Sequence, residues 1–438
     1  MSSVFHRAPD LPVALSAEGC WITDTEGRRY LDACGGAIVN NVGHGRREVI
    51  DAIAAQMARV DYVHAHSFTT EAVERYAARL APLVPVSDAR VFPVSGGSEA
   101  IETALKLARA YHLANGEPER DVVISRRGSY HGNTLGALDA SGRESLRRGY
   151  EPWLGRFSQT DPVNEYRCTN PEHPADCGAW HVRHLEEAIE SVGSGRVAAF
   201  IAEPIGGATL GATVPPAGYW RGVAEVCRRY GILLIADEVM TGFGRTGRWF
   251  GLEHFEVAAD VLVSAKGASS GYWPLGLCVA SGSVVEIAAP MFGHGYTYSH
   301  HPGGAAAGHA VLDIIESEDL VSRAAASGAH LLAGLGERLG SSPFVGDIRG
   351  AGLLVAVEFV AERESRTPFP RVERVAERVR AELIRRGVIG YLVTGCADGI
   401  DGDALAFGPP LTITLAELDL VSDALAAAIG SVLGFSSA

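Results

Sequence analysis

Short runs of apolar residues along the chain predict strands, and stretches with helical spacing separate several of them. The strand candidates are residues 121–125, 197–203, 231–239 and 261–266. Short β-branched runs that alternate with helices are typical of βαβ units and of a mostly parallel sheet covered on both faces. The pattern therefore predicts an α/β protein.

The two ends of the chain have a different pattern. Residues 21–32 alternate apolar and polar side chains around a glycine turn, which predicts a hairpin, and helical spacing begins at about residue 47. Beyond residue 305 a helix-rich stretch leads to residues 346–360 and then to a C-terminal helix through residues 418–429. We expect this second α/β layer to join the N-terminal hairpin in space.

Composition and charge exclude several classes of protein. The chain has 438 residues, of which 47% are hydrophobic and 21% charged, as in an ordinary globular protein. It has 52 acidic and 38 basic residues, and a surface with this net charge of -14 repels nucleic acid phosphates and anionic lipids. The N-terminal residues have no apolar stretch typical of a secretory signal. We expect a cytoplasmic protein that binds neither nucleic acid nor membrane.

Seven cysteines are an odd number for a chain without a secretory signal, so most should be buried, reduced thiols. Cys168, His173, Cys177 and His181 lie within fourteen residues and carry the side chains that zinc prefers. Their C-x8-C spacing differs from the short C-x2-4-C spacing of structural zinc sites. We therefore expect a surface excursion without a metal, and a zinc site is the alternative.

Polar residues follow three of the predicted strands, and ligands of open α/β sheets bind at this edge. They are Glu203, Asp237 and Lys266. A carboxylate buried after an apolar strand requires a cation, which a protonated pyridine nitrogen supplies, although a structural ion pair or a helix cap is equally common. Burial should lower the pKa of Lys266 and make it a nucleophile, whereas the alternative is a surface lysine.

A glycine-rich turn precedes the helix predicted over residues 95–112. Helix N-termini present unpaired backbone N–H groups and a positive dipole, and glycine lets an anion approach the backbone closely. Gly96, Gly97 and Ser98 therefore predict a phosphate site, with Ser98 as N-cap or as a hydroxyl donor. The alternative is an ordinary helix cap.

The order and context of these segments resemble the class III aminotransferases, which are enzymes that use pyridoxal 5'-phosphate (PLP) and have the fold type I architecture. The resemblance covers residues 20–425, and its most specific feature is DEV-x-TGFGRTG, whose Asp precedes the lysine of Ala-Lys-Gly by 29 residues. The matching strings are SGGSEA, ETALKLAR, SYHGNTLGAL, IAEP, LIADEVMTGFGRTG, SAKG, GYWPLG and YTYSHHP.

This resemblance implies a large domain with a mostly parallel seven-stranded sheet and a smaller α/β domain formed by both termini. The predicted boundaries are residues 1–60 and 326–438 for the small domain and residues 61–325 for the large PLP-binding domain.

The resemblance also implies roles for individual residues. Lys266 holds PLP as a Schiff base and moves the proton, and Asp237 pairs with the ring nitrogen. Tyr130 and Val239 cover the two ring faces, and Glu203 and His131 support the site, although His131 can equally be a core histidine. The phosphate is held by Gly96, Gly97, Ser98 and, from a second subunit, Thr297. The expected assembly is therefore a homodimer or a dimer of dimers.

Departures from the family pattern point to a substrate class. Ala208 and Ala406 stand where members acting on ornithine or 4-aminobutyrate carry a Glu and an Arg, and Met240 replaces a common Gln. The sequence therefore resembles the amine and ω-transaminase branch, which transfers amino groups to small α-keto acids such as pyruvate or 2-oxoglutarate. Four aromatic residues are candidates for an apolar substrate pocket, with core packing as the alternative: Trp21, Phe68, Tyr272 and Trp273.

Two other functions remain open at this point. An aminomutase, decarboxylase or epimerase has the same fold and cofactor and differs in the bond that is cleaved. A non-catalytic cofactor-binding protein is a third possibility, against which the intact Lys266 and Asp237 argue.

Overall fold

Residues 3–5 and 11–434 of the chain are described by its structure, a computed structural model. No helix in this described part is long and apolar enough to cross a membrane. The strands are β1 (Ala14–Glu18), β2 (Trp21–Asp24), β3 (Arg29–Asp32), β4 (Ala89–Val94), β5 (Val122–Arg126), β6 (Ser158–Thr160), β7 (Val197–Ala202), β8 (Leu233–Asp237), β9 (Val261–Ser264), β10 (Gly276–Ser281), β11 (Val345–Ala351), β12 (Leu354–Phe359), β13 (Val388–Ile389), β14 (Tyr391–Thr394) and β15 (Asp403–Phe407).

The α-helices connect and cover these strands, and α1 is a single distorted turn. They are α1 (Gly35–Ile38), α2 (Arg47–Arg59), α3 (Glu71–Leu80), α4 (Gly97–Ala114), α5 (Leu135–Ala140), α6 (Glu144–Arg147), α7 (Cys177–Val192), α8 (Tyr219–Tyr230), α9 (Gly282–Ala288), α10 (Pro302–Ser317), α11 (Leu320–Leu339), α12 (Val375–Arg385) and α13 (Leu415–Leu433).

The central sheet has seven strands in the order β4-β10-β9-β8-β7-β5-β6. Strand β10 is antiparallel to both neighbours, and the other neighbouring strands are parallel. The prediction of a mostly parallel seven-stranded sheet is confirmed. Three of the predicted strands end earlier than expected, at Ala202, Asp237 and Ser264, so Glu203 and Lys266 lie just beyond the sheet.

Both faces of this sheet are covered, as the apolar runs predicted. Along β8, Leu233 and Ile235 pack in the core that includes α4, whereas Leu234 and Ala236 pack in the core that includes α7 and α8. Burial of a leucine or isoleucine side chain contributes about 1.5–3 kcal/mol, so each face stabilises the strand independently. Because every position is buried, a strand of this kind has an unbroken apolar sequence.

The two ends of the chain share a second sheet, in the order β1-β2-β3-β13. Strand β13 pairs in parallel with β3, placing Val388 opposite Leu31 and Ile389 opposite Asp32. A third, antiparallel sheet has the order β11-β12-β15-β14. The N-terminal hairpin therefore meets the C-terminal part of the chain, while the domain boundaries at residues 60 and 325 stay a prediction.

Candidate active site

Three polar residues meet at the carboxyl edge of the central sheet. Glu203 directly follows β7, Asp237 is the last residue of β8, and Lys266 lies two residues after β9. These strands are parallel neighbours, so their ends lie side by side. The negative charges of Asp237 and Glu203 both act on the Lys266 amine. The structure therefore brings together the residues that the sequence placed at the strand ends.

Asp237 is held in a fixed orientation by two hydrogen bonds. Its Oδ2 lies 2.6 Å from Nδ1 of His131, and its Oδ1 accepts from the backbone N–H of Val239 at 3.0 Å. Both side chains of the pair are buried, and Nε2 of His131 has no hydrogen-bond partner among the described residues. His131 is therefore not a satisfied core histidine, and it orients the carboxylate, since a buried charge is stable only when it is paired.

Lys266 lies in an environment that favours its neutral form. Burial lowers the pKa of its amine to about 8, while Asp237 and Glu203 oppose this shift and Arg245 adds to it. Its backbone has a φ of 42°, a conformation that residues other than glycine seldom adopt and that is frequent at functional sites. Some of the side chain remains accessible to solvent. A lysine with these properties is a competent nucleophile and proton carrier.

Helix α4 begins next to this group of residues. Gly96 is its N-cap, so Ser98 is not the cap; the Ser98 Oγ instead accepts a hydrogen bond from the backbone N–H of Asn133 at 3.2 Å. A Cβ added at Gly97 would lie 3.4 Å from Val239 and 3.7 Å from Ala265, the neighbour of Lys266. The first N–H groups of α4 therefore lie beside Val239 and the Lys266 turn, which suits a bound phosphate.

Tyr130 and Glu203 lie at the border of the site. The Tyr130 hydroxyl accepts a hydrogen bond from the side chain of Asn133 at 3.3 Å. Arg126 donates to the backbone oxygen of Glu203 at 2.6 Å and lies 3.7 Å from its carboxylate. Burial raises the pKa of Glu203, although His131 and Arg126 oppose this shift. The charges of His131 and Asp237 therefore act on Glu203, whose own contacts are with Arg126.

Thr297 is not part of this group within one chain. It is exposed, and its backbone oxygen accepts a hydrogen bond from the Tyr62 hydroxyl at 3.0 Å. The expectation that Thr297 acts in a neighbouring subunit stays a prediction.

Two of the aromatic pocket candidates hold the Lys266 turn in place. The Tyr272 hydroxyl accepts from the backbone N–H of Arg46 and donates to the oxygen of Gly43, both at 2.7 Å. The Trp273 ring packs on the first turn of α10, where a Cβ added at Gly303 would lie 3.0 Å from it. Both contacts are structural, so these residues position the segment that carries Lys266.

The other two aromatic candidates lie apart from the Lys266 group. The Trp21 indole donates to Glu417 at 2.7 Å, and the Arg29 guanidinium lies 4.7 Å from its ring centroid. Phe68 is 67% exposed, in the loop before α3. The contacts of Trp21 hold its ring in place, and a role in ligand binding stays a prediction for all four aromatic candidates.

A buried arginine was missed as a site residue, although it lies in the DEVMTGFGRTG segment. Arg245 is fully buried and donates to Asn41 Oδ1 at 2.6 Å and to the backbone oxygen of Leu353 at 3.1 Å. A Cβ added at Gly267 would lie 3.0 Å from Phe243, so the residue after the lysine has little space for a side chain. The DEVMTGFGRTG segment therefore contacts the parts of the chain that contain Asn41, Leu353 and Gly267. Its Arg245 also supplies a positive charge that favours the neutral form of Lys266.

Comparison with known proteins identifies the family. The family described as aminotransferase class-III matches residues 6–429. The putrescine–pyruvate aminotransferase of Pseudomonas aeruginosa is 36% identical over 411 residues, which cover 93% of this chain and 88% of that protein.

Solved structures agree with this result. A thermostable (S)-enantioselective omega-transaminase from Thermomicrobium roseum has a TM-score of 0.91 and 42% identity, covering 97% of this chain and 93% of that chain. An amine transaminase from an uncultivated Pseudomonas species, in its PLP-bound form, has a TM-score of 0.91 and 39% identity, covering 99% and 97%. The fold and the resemblance are confirmed, and the chain belongs to the class III aminotransferases.

Proposed function

We propose that this aminotransferase transfers the amino group of a primary amine or ω-amino compound to a small α-keto acid of the pyruvate or 2-oxoglutarate type. The reaction runs as two half-reactions in a ping-pong cycle, with PLP as cofactor and Lys266 as the residue that holds it. The observation that carries this proposal is the Lys266 amine, with its pKa lowered to about 8, beside the buried Asp237–His131 pair.

The residues around Lys266 suit PLP. Asp237 offers a buried carboxylate to a protonated ring nitrogen, Val239 and Tyr130 offer an apolar and an aromatic surface to the ring faces, and Glu203 supports the pair. The phosphate would be held by the N-terminus of α4 at Gly96, Gly97 and Ser98. When bound, PLP supplies an electron-accepting ring that stabilises the carbanion formed at the substrate carbon.

Lys266 performs the proton transfers. A group whose pKa lies near the working pH is present in both protonation states, so it can accept a proton at one atom and return it at another. Burial lowers the pKa of Lys266 to about 8, well below that of an ordinary lysine. The chain therefore has a base where an unperturbed lysine would remain protonated.

His131 holds the negative charge of the Asp237 carboxylate in a fixed position during the proton transfers by Lys266. The carboxylate cannot turn away, because its Oδ1 accepts from the Val239 backbone and its Oδ2 contacts His131. A fixed negative charge in a water-poor site stabilises a positive partner more strongly than the same charge in water. Asp237 thus maintains the protonated, electron-accepting state of the group bound against it.

Small or apolar residues at the positions that differ from the ornithine and 4-aminobutyrate enzymes support the proposed substrate class. Ala208 and Ala406 are 3% and 1% exposed, and Met240 packs against Gly207. Residues 396–410 contain no arginine that could bind a carboxylate. A primary amine needs no carboxylate partner, which supports the amine branch. The names of the putrescine–pyruvate and amine transaminase relatives support it too.

A panel of 15N-labelled amines with pyruvate or 2-oxoglutarate tests this proposal. We expect label in alanine or glutamate, with initial-rate lines that stay parallel as the acceptor is varied. Donors without a carboxylate should exceed ornithine and 4-aminobutyrate in kcat/KM by about tenfold or more, since one unmatched charged group costs at least about 1.4 kcal/mol. Release of CO2, or rearrangement of the amine without a keto acid, would instead identify a decarboxylase or a mutase.

We further propose that two subunits share each active site through Thr297. Mixing Lys266→Ala subunits with Thr297→Trp subunits then gives heterodimers in which one site carries both defects and the other carries neither. Random exchange at equal concentrations yields half heterodimers, so activity should recover to about a quarter of wild type. The measurement is alanine formation before and after subunit exchange.

The conservative Thr297→Ser variant should keep its activity and serves as the control for this experiment. Native mass spectrometry establishes that heterodimers have formed. Heterodimers as inactive as both parents would show that the sites are not shared through Thr297.

A further inference from the structure

Two cysteines and two histidines cluster where the loop after β6 meets the first turns of α7. The Sγ atoms of Cys168 and Cys177 lie 3.4 Å apart, and the His173 Nδ1 lies 3.2 Å from the Cys177 Sγ. The ligand atoms of these three residues all lie within 4.8 Å of one another. His181 adds its Nε2 at 3.6 Å from the Cys168 Sγ. Four side chains that bind soft metal ions are thus gathered in one place.

The local fold explains how residues with an unusual spacing come together. Cys177 is the first residue of α7 and His181 lies one turn later, so both are on one face of the helix. Cys168 and His173 come from the preceding loop, which folds back because the Asn170 side chain donates to the oxygen of Ala175 at 2.6 Å. Helical periodicity therefore supplies two ligands and the loop supplies the other two.

The distances agree with a tetrahedral site. With Zn–S bonds of about 2.3 Å and Zn–N bonds of about 2.0–2.1 Å, sulfur atoms are about 3.8 Å apart and sulfur lies about 3.6 Å from nitrogen. The separations of 3.4 Å between Cys168 and Cys177, 3.2 Å between His173 and Cys177 and 3.6 Å between His181 and Cys168 differ from these values by at most a few tenths of an ångström. His181 lies outside the group of three residues whose ligand atoms are all within 4.8 Å of one another, so its ring must move further to complete the tetrahedron. A disulfide would require the two Sγ atoms to approach to about 2.05 Å, a larger movement.

We propose that Cys168, His173, Cys177 and His181 bind one zinc ion. Thiolates and imidazoles in tetrahedral arrangement favour Zn²⁺ over the harder divalent ions, and four protein ligands leave no open position for a substrate. The site is therefore structural. The proposal favours the zinc alternative over a surface excursion without a metal, because folding, and not sequence spacing, brings the ligands together.

The zinc ion would fix a loop that contacts the C-terminal sheet. Arg167, next to Cys168, donates to the buried Glu358 of β12 at 2.6 Å and to the backbone oxygen of Arg366 at 3.0 Å. Glu358 in turn accepts from Arg349 at 2.6 Å. Metal binding at Cys168 thus restrains the arginine that joins this loop to strand β12, and it should stabilise the folded chain by linkage.

Metal analysis of the purified holoenzyme tests the proposal. After dialysis against metal-free buffer, wild type should retain about one zinc per chain. Cys168→Ser and Cys177→Ser should lower this content at least about tenfold, since loss of a mere supporting contact already weakens metal sites about 10- to 100-fold. His184→Ala, on the same helix but paired with Asp161 at 2.7 Å, should retain the zinc. Wild type with neither bound zinc nor zinc uptake would overturn the proposal.

Three further measurements on wild type do not depend on variants that fold. Co²⁺ exchanged into the site should give the intense visible bands of tetrahedral cobalt with a thiolate charge-transfer band. A strong chelator should lower the melting temperature of wild type. Thiol titration of the denatured, chelated, unreduced protein should find all seven cysteines, whereas a count lower by two would show a Cys168–Cys177 disulfide and overturn the zinc site.

Discussion

Replacement of Lys266 by alanine should reduce transamination by about 10⁴-fold or more, because a positioned acid–base group alone contributes about 10²–10⁴. The fold should survive, since the side chain is partly accessible and its removal relieves the burial of an amine. Single-turnover alanine formation measures the loss, and circular dichroism and melting temperature report on the fold.

The chain provides a matched control, because it contains only two lysines, Lys106 and Lys266. Lys106 is exposed on α4, and Lys106→Ala should keep wild-type activity. Borohydride reduction of wild type should attach PLP to the tryptic peptide that contains Lys266. Attachment at Lys106, or normal turnover by Lys266→Ala, would contradict the proposed role of Lys266.

The sequence predicts most of the central sheet because parallel strands covered on both faces are continuous apolar runs. Residues 121–125 and 261–266 correspond to β5 and β9 within two residues. Strands β4, β6 and β10 of this sheet were not predicted, although the antiparallel β10 is buried throughout. Its neighbours in the sheet, β4 and β9, are far apart in sequence, so no local pattern reveals the pairing.

A candidate site residue could be predicted from sequence where a polar side chain stands at the end of a recognisable apolar strand. Asp237 and Lys266 meet this condition, because parallel strands end at a common edge. Arg245 does not: its partners include Asn41 and Leu353, each more than a hundred residues away. Trp21 and Trp273 pack in parts of the structure that only the tertiary fold defines. A substrate role for these two residues stays a prediction, because aromatic composition alone does not distinguish pocket from core.

The residues of the proposed zinc site could not be grouped from sequence spacing either. Sequence spacing argued against a metal because Cys168 and Cys177 are nine positions apart. In the structure, a loop reversal at Asn170 and one turn of α7 place four side chains together. Spacing rules for metal sites describe particular loop shapes, so a site built on another loop shape falls outside them.

Replacement of Asp237 by asparagine should slow removal of the substrate proton by a factor of about 10² or more. The variant keeps the shape of the side chain but loses the charge that holds a positive partner. Loss of one such preorganised contact costs about 3–4 kcal/mol in the transition state. The effect should appear in kcat and in single-turnover rates, while the PLP content changes far less, because the α4 N-terminus and Lys266 still hold the cofactor in our proposal.

Asp260→Asn is the matched control for this prediction. Asp260 directly precedes β9, so it lies at the edge of the sheet opposite Asp237. Its Oδ2 accepts a hydrogen bond from the backbone N–H of Leu234 at 2.8 Å. This exchange should leave the single-turnover rate within about twofold of wild type, since substitutions remote from the chemistry do not change transition-state binding. If Asp237→Asn also kept a single-turnover rate close to that of wild type, the positively charged group proposed to lie against Asp237 would have another partner. An equal loss of single-turnover rate in Asp237→Asn and Asp260→Asn would show that the effect of the exchange is structural.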